Sequence, residues 1–340
     1  MAAITVVVTT HNLEEYIGNC LEELYTQTFQ DFDILIVDDA SSDKTVGIIE
    51  QYRTKFANRL ISIYLKDNLG MPALTRNVAL DSGRIRGEYV LFLDGDDMIE
   101  QNMLETLYTL AIQDAAPPAD VVICAYDRVS VSAGPPIAVE MQGFPACMKM
   151  PPKDDSICFI NTAPWNKLWK YSVIAGLRYP GFKVGEEVSF NFRGYAASQK
   201  IVFTDKVLIH YRVRKNSVIS NTAEDTIWDF AGEMLALTNE QNGIYKELAG
   251  FLTFVHIGLS MGLRAADNHT IDLKKYLCKT RDYFKRNFKW FHGNRFLSLS
   301  SLKKRGIKGI ALWGALITYR AGLFRLVLRV YRILGLNIKF

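Results

Sequence analysis

Cysteine is scarce in this chain and shows no pairing pattern. Five are scattered over 340 residues, at Cys20, Cys124, Cys147, Cys158 and Cys278, with no CxxC pair. That spacing argues against a disulfide framework or a structural zinc site and fits a reducing compartment. Met1-Ala2-Ala3 leads directly into an apolar, strand-like run without a basic leader, so no signal peptide is expected. Long uncharged runs are lacking too: residues 248–263 give 16 and residues 309–319 give 11, short of the ~20 needed to cross a bilayer. No GxxxxGK[ST] loop, no GxGxxG after the first strand, no GxSxG elbow and no HExxH helix occurs. Their absence sets aside P-loop, dinucleotide-binding, α/β-hydrolase and zincin chemistry.

Acids are almost missing from one end. Residues 271–340 hold 17 Lys and Arg against Asp272 and Asp282, a net of +15, which leaves 23 against 34, or −11, over the first 270. The overall +4 conceals this split. A basic tail calls for an anionic partner, a membrane surface or nucleic acid, whereas the acidic bulk does not suit nucleic acid. With 49% hydrophobic and 22% charged residues the chain has material for a large core and is not a disordered polymer.

What is present is an alternation of strand and helix. Residues 4–9, 33–37, 60–65 and 89–93 read as strands. Helical patterns occupy 14–27, a stretch capped by Ser42 or Asp43 and ending near Phe56, and a stretch starting at Pro72 and ending near Asp81. Apolar strands alternating with amphipathic helices predict an α/β, Rossmann-like, mainly parallel sheet flanked by helices. Residues 115–160, punctuated by Pro117, Pro118, Pro135, Pro136, Pro145, Pro151 and Pro152, predict irregular structure and edge strands beside a site. A helix over 186–198, strands over 200–203 and 206–212, and helices beyond Asn221 complete the pattern.

Carboxylates crowd two strand ends: Asp38-Asp39 after the second strand and Asp94-Gly95-Asp96-Asp97 after the fourth. Ligands of open parallel sheets gather at the carboxyl ends of the strands. Acids massed there repel one another and call for a cation or a hydrogen-bond donor. Magnesium and manganese favour carboxylate oxygen and leave positions for phosphate, so a divalent ion with a phosphorylated ligand is the natural reading.

The ordered motifs Val6-Val7-Val8-Thr9-Thr10-His11-Asn12, Ile36-Val37-Asp38-Asp39-Ala40-Ser41-Ser42-Asp43, Asn68-Leu69-Gly70 with Arg76-Asn77, and Phe92-Leu93-Asp94-Gly95-Asp96-Asp97 resemble family 2 inverting glycosyltransferases. Trp165-Asn166-Lys167-Leu168, Gly185-Glu186-Glu187 and His210-Tyr211-Arg212 extend the resemblance over roughly residues 3–220. It implies a GT-A fold, a nucleotide-diphosphate-sugar donor, most often UDP, and Mn2+ or Mg2+. Asp39 matches the acid that reads the uracil N3–H, a donor that cytosine lacks. Thr9, His11, Asn68, Arg76, Asp94, Asp96, Lys167 and Arg212 match positions around the nucleotide sugar, and Arg214 a further diphosphate contact. Asp96, Asp97 and His210 match the metal positions. Glu187 matches the general base that takes the acceptor proton as the configuration inverts, with Glu186 in support. Two departures stand out: His11-Asn12 replaces the usual Tyr-Asn, and Glu187 replaces the usual Asp.

The expected organisation is a GT-A transferase domain at 1–220 and a helical, strongly basic region at 221–340. In the latter, residues 307–334 read as a basic amphipathic helix, with Arg325, Arg329 and Arg332 on one face. Such a helix suits an anionic membrane plane. The expectation is a transferase of a hexosyl or N-acetylhexosaminyl group to a glycan or lipid-linked acceptor, cytoplasmic and peripheral on the inner face of the cell membrane. No nucleic-acid partner is expected, and an oligomer is left open. The competing expectation is a catalytically degenerate nucleotide-sugar or glycan-binding subunit of a polysaccharide assembly complex.

Overall fold

The computed structural model describes residues 2–113, 117–130, 136–213, 224–268, 271–288 and 293–334, apart from the side chains of 267 and 330–334. The chain forms two compact units. One comprises Met1–Pro152, Ile160–Gly181 and Gly185–Ser217; the other comprises Lys153–Phe159, Phe182–Val184 and Val218–Phe340. Two short stretches from mid-chain, Lys153–Phe159 and Phe182–Val184, belong to the second unit.

The first unit opens with β1 (Ile4–Thr10), α1 (Ile17–Tyr25), β2 (Phe32–Asp38), α2 (Thr45–Phe56), β3 (Leu60–Tyr64), α3 (Pro72–Asp81) and β4 (Tyr89–Asp94). The first two strands are buried along their whole length and β4 over all but its last residue, as parallel strands covered on both faces must be. Pro72 occupies the first turn of α3, where its missing N–H removes no helical bond. Asp43 begins α2 by accepting the Thr45 amide at 2.9 Å. The unit continues through β5 (Met98–Ile99), α4 (Met103–Ile112), β6 (Val121–Ser130), β7 (Ala138–Glu140), β8 (Cys147–Lys149), β9 (Lys167–Lys170), α5 (Tyr171–Ile174), α6 (Glu186–Ala197) and β10 (Lys200–Val213).

Among the described residues the sheet has ten strands, with the path β3-β2-β1-β4-β9-β6-β10-β5; β7 pairs with β6, and β8 with β10. The half from β3 to β4 is parallel throughout. Beyond it β9 runs antiparallel to both β4 and β6, so the full sheet is mixed. Two expectations need correction. Residues 121–124 begin an interior strand, since β6 lies between β9 and β10 and its first seven residues are buried. The two short strands expected over 200–212 are one strand, β10, with irregular register between Thr204 and Ile209. The proline-rich composition around 115–160 obscured the first; the local bulge mimicked a break in the second.

The second unit is helical: α7 (Glu224–Glu240), α8 (Gly243–Thr253), a π-helical stretch (Phe254–Ser260), α9 (Met261–Asp267), α10 (Leu273–Asn287), α11 (Leu299–Leu302), α12 (Gly306–Arg320) and α13 (Phe324–Leu334). Gly243–Ala266 is the one described helix long and apolar enough to cross a membrane, and 78% of its apolar window is buried, as in a core helix. His256 lies in it, held neutral by burial, which pulls its pKa down to about 4. The single amphipathic helix expected over 307–334 is two helices, separated at Gly322, whose φ of 76° L side chains rarely adopt.

Gly87 shows how closely β1 and β4 begin together. A Cβ there would sit 2.3 Å from the Thr5 amide nitrogen and 2.7 Å from the Tyr89 carbonyl oxygen, both backbone atoms that cannot rotate away. Gly87→Ala is expected to lower the unfolding free energy by about 3 kcal/mol. Gly47→Ala, exposed on α2 with nothing within 4 Å, is expected to raise it by about 0.5 kcal/mol. Urea denaturation of the two variants checks both signs.

Candidate active site

The middle strand of the parallel half arranges the strand-end acids. In the register β1 places Thr9 beside Asp94 of β4 and Thr10 beside Asp38 of β2. Successive side chains on a strand point to opposite faces, so the two threonines serve different neighbours. Thr9 Oγ1 donates to Asp94 Oδ1 at 3.1 Å, and Thr10 Oγ1 to Asp38 Oδ1 at 2.8 Å. Asp38 also accepts the Ser41 amide at 2.9 Å and the Ser41 hydroxyl at 2.6 Å, which consumes it in the turn.

Asp39 has a different setting. Its carboxylate accepts the amides of Leu69 at 2.7 Å and Gly70 at 3.1 Å, so the Asn68-Leu69-Gly70 loop clasps it. Gly70 has φ 70°, the left-handed conformation that lets the loop turn its amides inward. His11 Nδ1 donates to the Asp39 carbonyl at 2.7 Å, leaving Nε2 to accept the Asn68 amide at 2.8 Å and the Asn12 amide at 3.1 Å. Thus His11, Asp39 and Asn68, three expected nucleotide contacts from separate motifs, form one cluster. Each Asp39 oxygen keeps a second lone pair for another donor.

Arg76 is the buried cation of the site. Only 2% of its side chain is exposed; Nη2 reaches Asp94 Oδ1 at 2.6 Å and Nη1 lies 4.0 Å from Glu187 Oε1. Its guanidinium sits 5.6 Å from the Tyr179 ring centroid. Burial disfavours this charge, but Asp94, Tyr179 and Glu187 outweigh the penalty and raise its pKa. Its Nε and Nη1 are buried without a hydrogen-bond partner. The next residue, Asn77, clasps the backbone of Tyr179 in both directions at 2.8 Å, which sets the ring against the guanidinium.

Glu186 and Glu187 open α6 after Gly185, whose φ is 83°. Burial, then the neighbouring Glu187 charge, push Glu186 up to about 7. Burial also raises Glu187, while the Arg76 charge pulls it back. Fully buried Lys167 does not open into the groove. Its ammonium donates to Ala163 O at 2.6 Å, Asn166 Oδ1 at 2.8 Å and Asn161 Oδ1 at 2.9 Å, which uses its three N–H groups. In this geometry Lys167 holds the loop before β9, and a direct nucleotide-sugar contact would cost it one of those bonds. Burial pulls its pKa down to about 7, against the Cys124 and Glu187 charges.

The Asp94-Gly95-Asp96-Asp97 turn closes with the Asp97 amide on the Asp94 carbonyl at 3.0 Å, and Asp96 and Asp97 are buried. Arg212 of β10 touches both: its amide reaches Asp97 Oδ1 at 3.4 Å and its Nε the Asp96 carbonyl at 3.2 Å, with the guanidinium 4.8 Å over the Tyr16 ring. His210 is engaged at both ring nitrogens, by Asp127 Oδ1 at 2.7 Å and Glu100 Oε1 at 3.0 Å. Burial works against its charge, yet the two carboxylates prevail and raise its pKa. The metal-ligand role expected for His210 would give up one of these two contacts. Arg214 lies outside the described residues.

Among the described residues no three His, Cys, Asp or Glu side chains form a metal cage. The donor set at the β4 end nevertheless fits a hard cation. It is all oxygen, and magnesium or manganese is commonly held by one or two carboxylates with substrate phosphates completing the shell. Asp96 and Asp97, next to Asp94, are the residues placed for this.

Sequence reasoning missed Tyr179, Asp127, Glu100 and the stack of Trp165 on Tyr211 at 5.4 Å, with Tyr126 edge-on to Trp165 at 4.6 Å. None carries a local motif; only the Trp165 and His210-Tyr211-Arg212 motifs hinted at that corner.

Comparison with known proteins gives a consistent picture. Residues 5–160 match the family described as Glycosyl transferase family 2. The chain is 30% identical to the putative glycosyltransferase EpsH of Bacillus subtilis over 275 residues, covering 76% of each. It is 29% identical to the glycosyltransferase GlyA of Streptococcus pneumoniae over 294 residues, covering 82% of this chain and spanning 41% of that relative's length. Among solved structures, S. aureus TarS 1-349 in complex with UDP-GlcNAc superposes with a TM-score of 0.73 at 24% identity, covering 100% of this chain and 94% of that one. This likeness establishes the GT-A fold.

Because breaking a buried ion pair strands the remaining charge, Arg76→Gln is expected to lower the unfolding free energy by about 2 kcal/mol. The figure is reduced from the fully buried case because Asp94 is 28% exposed. Chemical denaturation at pH 7.5, roughly neutral conditions where carboxylates are ionised, measures it.

Proposed function

Since the chain belongs to glycosyl transferase family 2, we propose that it moves a sugar, with inversion, from a UDP-sugar to a hydroxyl of a glycan or lipid-linked acceptor. The observation that carries this reading is Arg76, which ties Asp94 of the acidic turn to Glu187 of the carboxylate pair. A diphosphate site and a base are thereby held on one guanidinium.

Asp39 accepts the uracil N3–H through a free lone pair, its orientation fixed by the Leu69 and Gly70 amides. Asn68 and His11 line the same base. Arg76 has two nitrogens, Nε and Nη1, without acceptors, and donor oxygens would satisfy them. Asp96 and Asp97, with Asp94, would hold Mn2+ or Mg2+, which would neutralise charge on the departing diphosphate. Arg212, fixed over the acidic turn, adds positive charge on the same side. His210 ties β10 to Asp127 of β6 and to Glu100 just after β5.

In the transfer itself, the acceptor oxygen forms a bond to the anomeric carbon as the bond from that carbon to the phosphate oxygen breaks. The bonding pair leaves with UDP, and Glu187 takes the hydroxyl proton. Attack opposite the leaving group inverts the configuration. A base whose pKa is raised by burial, with the Arg76 charge pulling it partly back, is matched to this proton. The scattered cysteines are free among the described residues, in keeping with the proposed cytoplasmic setting, and a lipid-linked acceptor would be met at the inner membrane face.

Nucleotide release from a panel of UDP-sugars with Mn2+ or Mg2+ tests the reading. The absence of both UDP release and metal-dependent nucleotide binding would sink it. Glu187→Gln is expected to cut turnover by about 10²–10⁴ while UDP binding persists. Binding without turnover in the wild type would instead identify the degenerate subunit.

The wild-type rate should climb with pH over a range above that of an ordinary carboxyl, because burial raises Glu187. The same raised values mean that the fold retains protons which the unfolded chain releases from about pH 4.3 upward. Stability contributed by the pair is therefore lost as pH rises through about 7.

A further inference from the structure

Helix α12 carries apolar residues on its outward as well as its inward face. Leu312, Ala315, Leu316 and Tyr319 face inward, where Tyr319 meets Phe254 at 5.5 Å and Phe284 at 6.0 Å and donates to Thr280 Oγ1 at 2.6 Å. This inward set completes the core of the second unit. The outward face repeats the apolar pattern: Ile307, 87% exposed, then Ile310 and Ile317, continued across the Gly322 turn by Leu323, Leu326 and Val327, all exposed. A helix apolar on every side is ordinarily buried. An apolar face left outside a finished core marks an interaction surface.

Charge selects what covers it. Lys304 and Lys308 border the start of α12 and Arg325 and Arg329 stand on α13, while no Asp or Glu occurs from residue 283 to 340. A second copy of the same face would bring like charges together, which disfavours self-association. A purely apolar partner would leave the bases uncompensated. A surface with an acyl layer beneath anionic headgroups meets both needs.

We propose that α12 and the first turns of α13 lie in the plane of an anionic lipid surface. The isoleucines and leucines enter the acyl boundary, and the lysines and arginines meet the headgroup phosphates. This gives a face to the membrane setting of the proposed transferase. It rests on that reading only for its use, because lipid capture needs neither donor nor acceptor.

Flotation of the full chain with phosphatidylglycerol-containing vesicles, against pure phosphatidylcholine vesicles, is the test. Capture by the anionic vesicles alone, weakening as salt rises, is expected. Lys304→Gln with Lys308→Gln should lower partitioning about 25-fold, about fivefold per base. Ile307→Ser with Ile310→Ser and Ile317→Ser should lower it more than about 100-fold. Both variants should keep the wild-type unfolding transition and UDP binding, since these side chains are exposed. A wild-type chain that floats with neither vesicle, or variants that float as well as wild type, overturns the proposal. So does a dimer or a nucleic-acid complex that depends on these residues in place of lipid capture. Failure of nucleotide release alone would leave this result standing.

Discussion

A guanidinium sealed from water does not shed its proton, so the protein around Arg76 must balance its charge. Asp94 does so at 2.6 Å and Glu187 from 4.0 Å. This one constraint draws together the end of β4, the first half of α3 and the first turn of α6, elements far apart in the chain. Isolated burial of such a cation would be costly; here the cost is offset by acids that themselves would otherwise repel. Stability of the fold and placement of the reacting groups therefore depend on the same contact.

The rest of the acidic rim is managed in the same spirit. Asp38 is consumed by Thr10 and Ser41, and Asp39 is oriented by the amides of Leu69 and Gly70. His210 lies between Asp127 and Glu100, and Lys167 fixes the loop that leads into β9. Several polar side chains at this edge of the sheet thus have local tethers that fix their orientation. Catalytic sites built on preorganised dipoles and charges gain from such fixation, because little reorganisation is left for the moment of reaction.

Much of this was legible in the residues. The parallel half of the sheet announced itself through apolar β-branched runs separated by amphipathic helices, and Pro72 marked the start of α3 by its own chemistry. His11, Asp39, Asn68, Arg76 and Asp94 belonged to motifs, and the structure brings them to one edge. Less accessible were features that depend on distant partners. The interior position of β6 is set by pairing with β9 and β10, which no local period encodes, and prolines on either side suggested the reverse. Lys167 sits in a motif, yet its burial follows from acceptors at Asn161, Ala163 and Asn166 that only the folded loop presents. The break at Gly322 was hidden because a glycine inside an apolar pattern reads equally as a helical residue.

One feature of α6 divides labour between two like residues. Consecutive positions on an α-helix diverge by about 100° around its axis. Glu186 and Glu187 therefore share a burial environment and feel each other's charge, but their carboxylates are aimed along different bearings. In the proposed transfer, an acceptor hydroxyl met along one bearing would not be met along the other, so the two carboxylates would serve different atoms. The doublet behaves as a compass with two fixed needles, and exchanging their tasks would require the helix to turn by more than a quarter of a revolution.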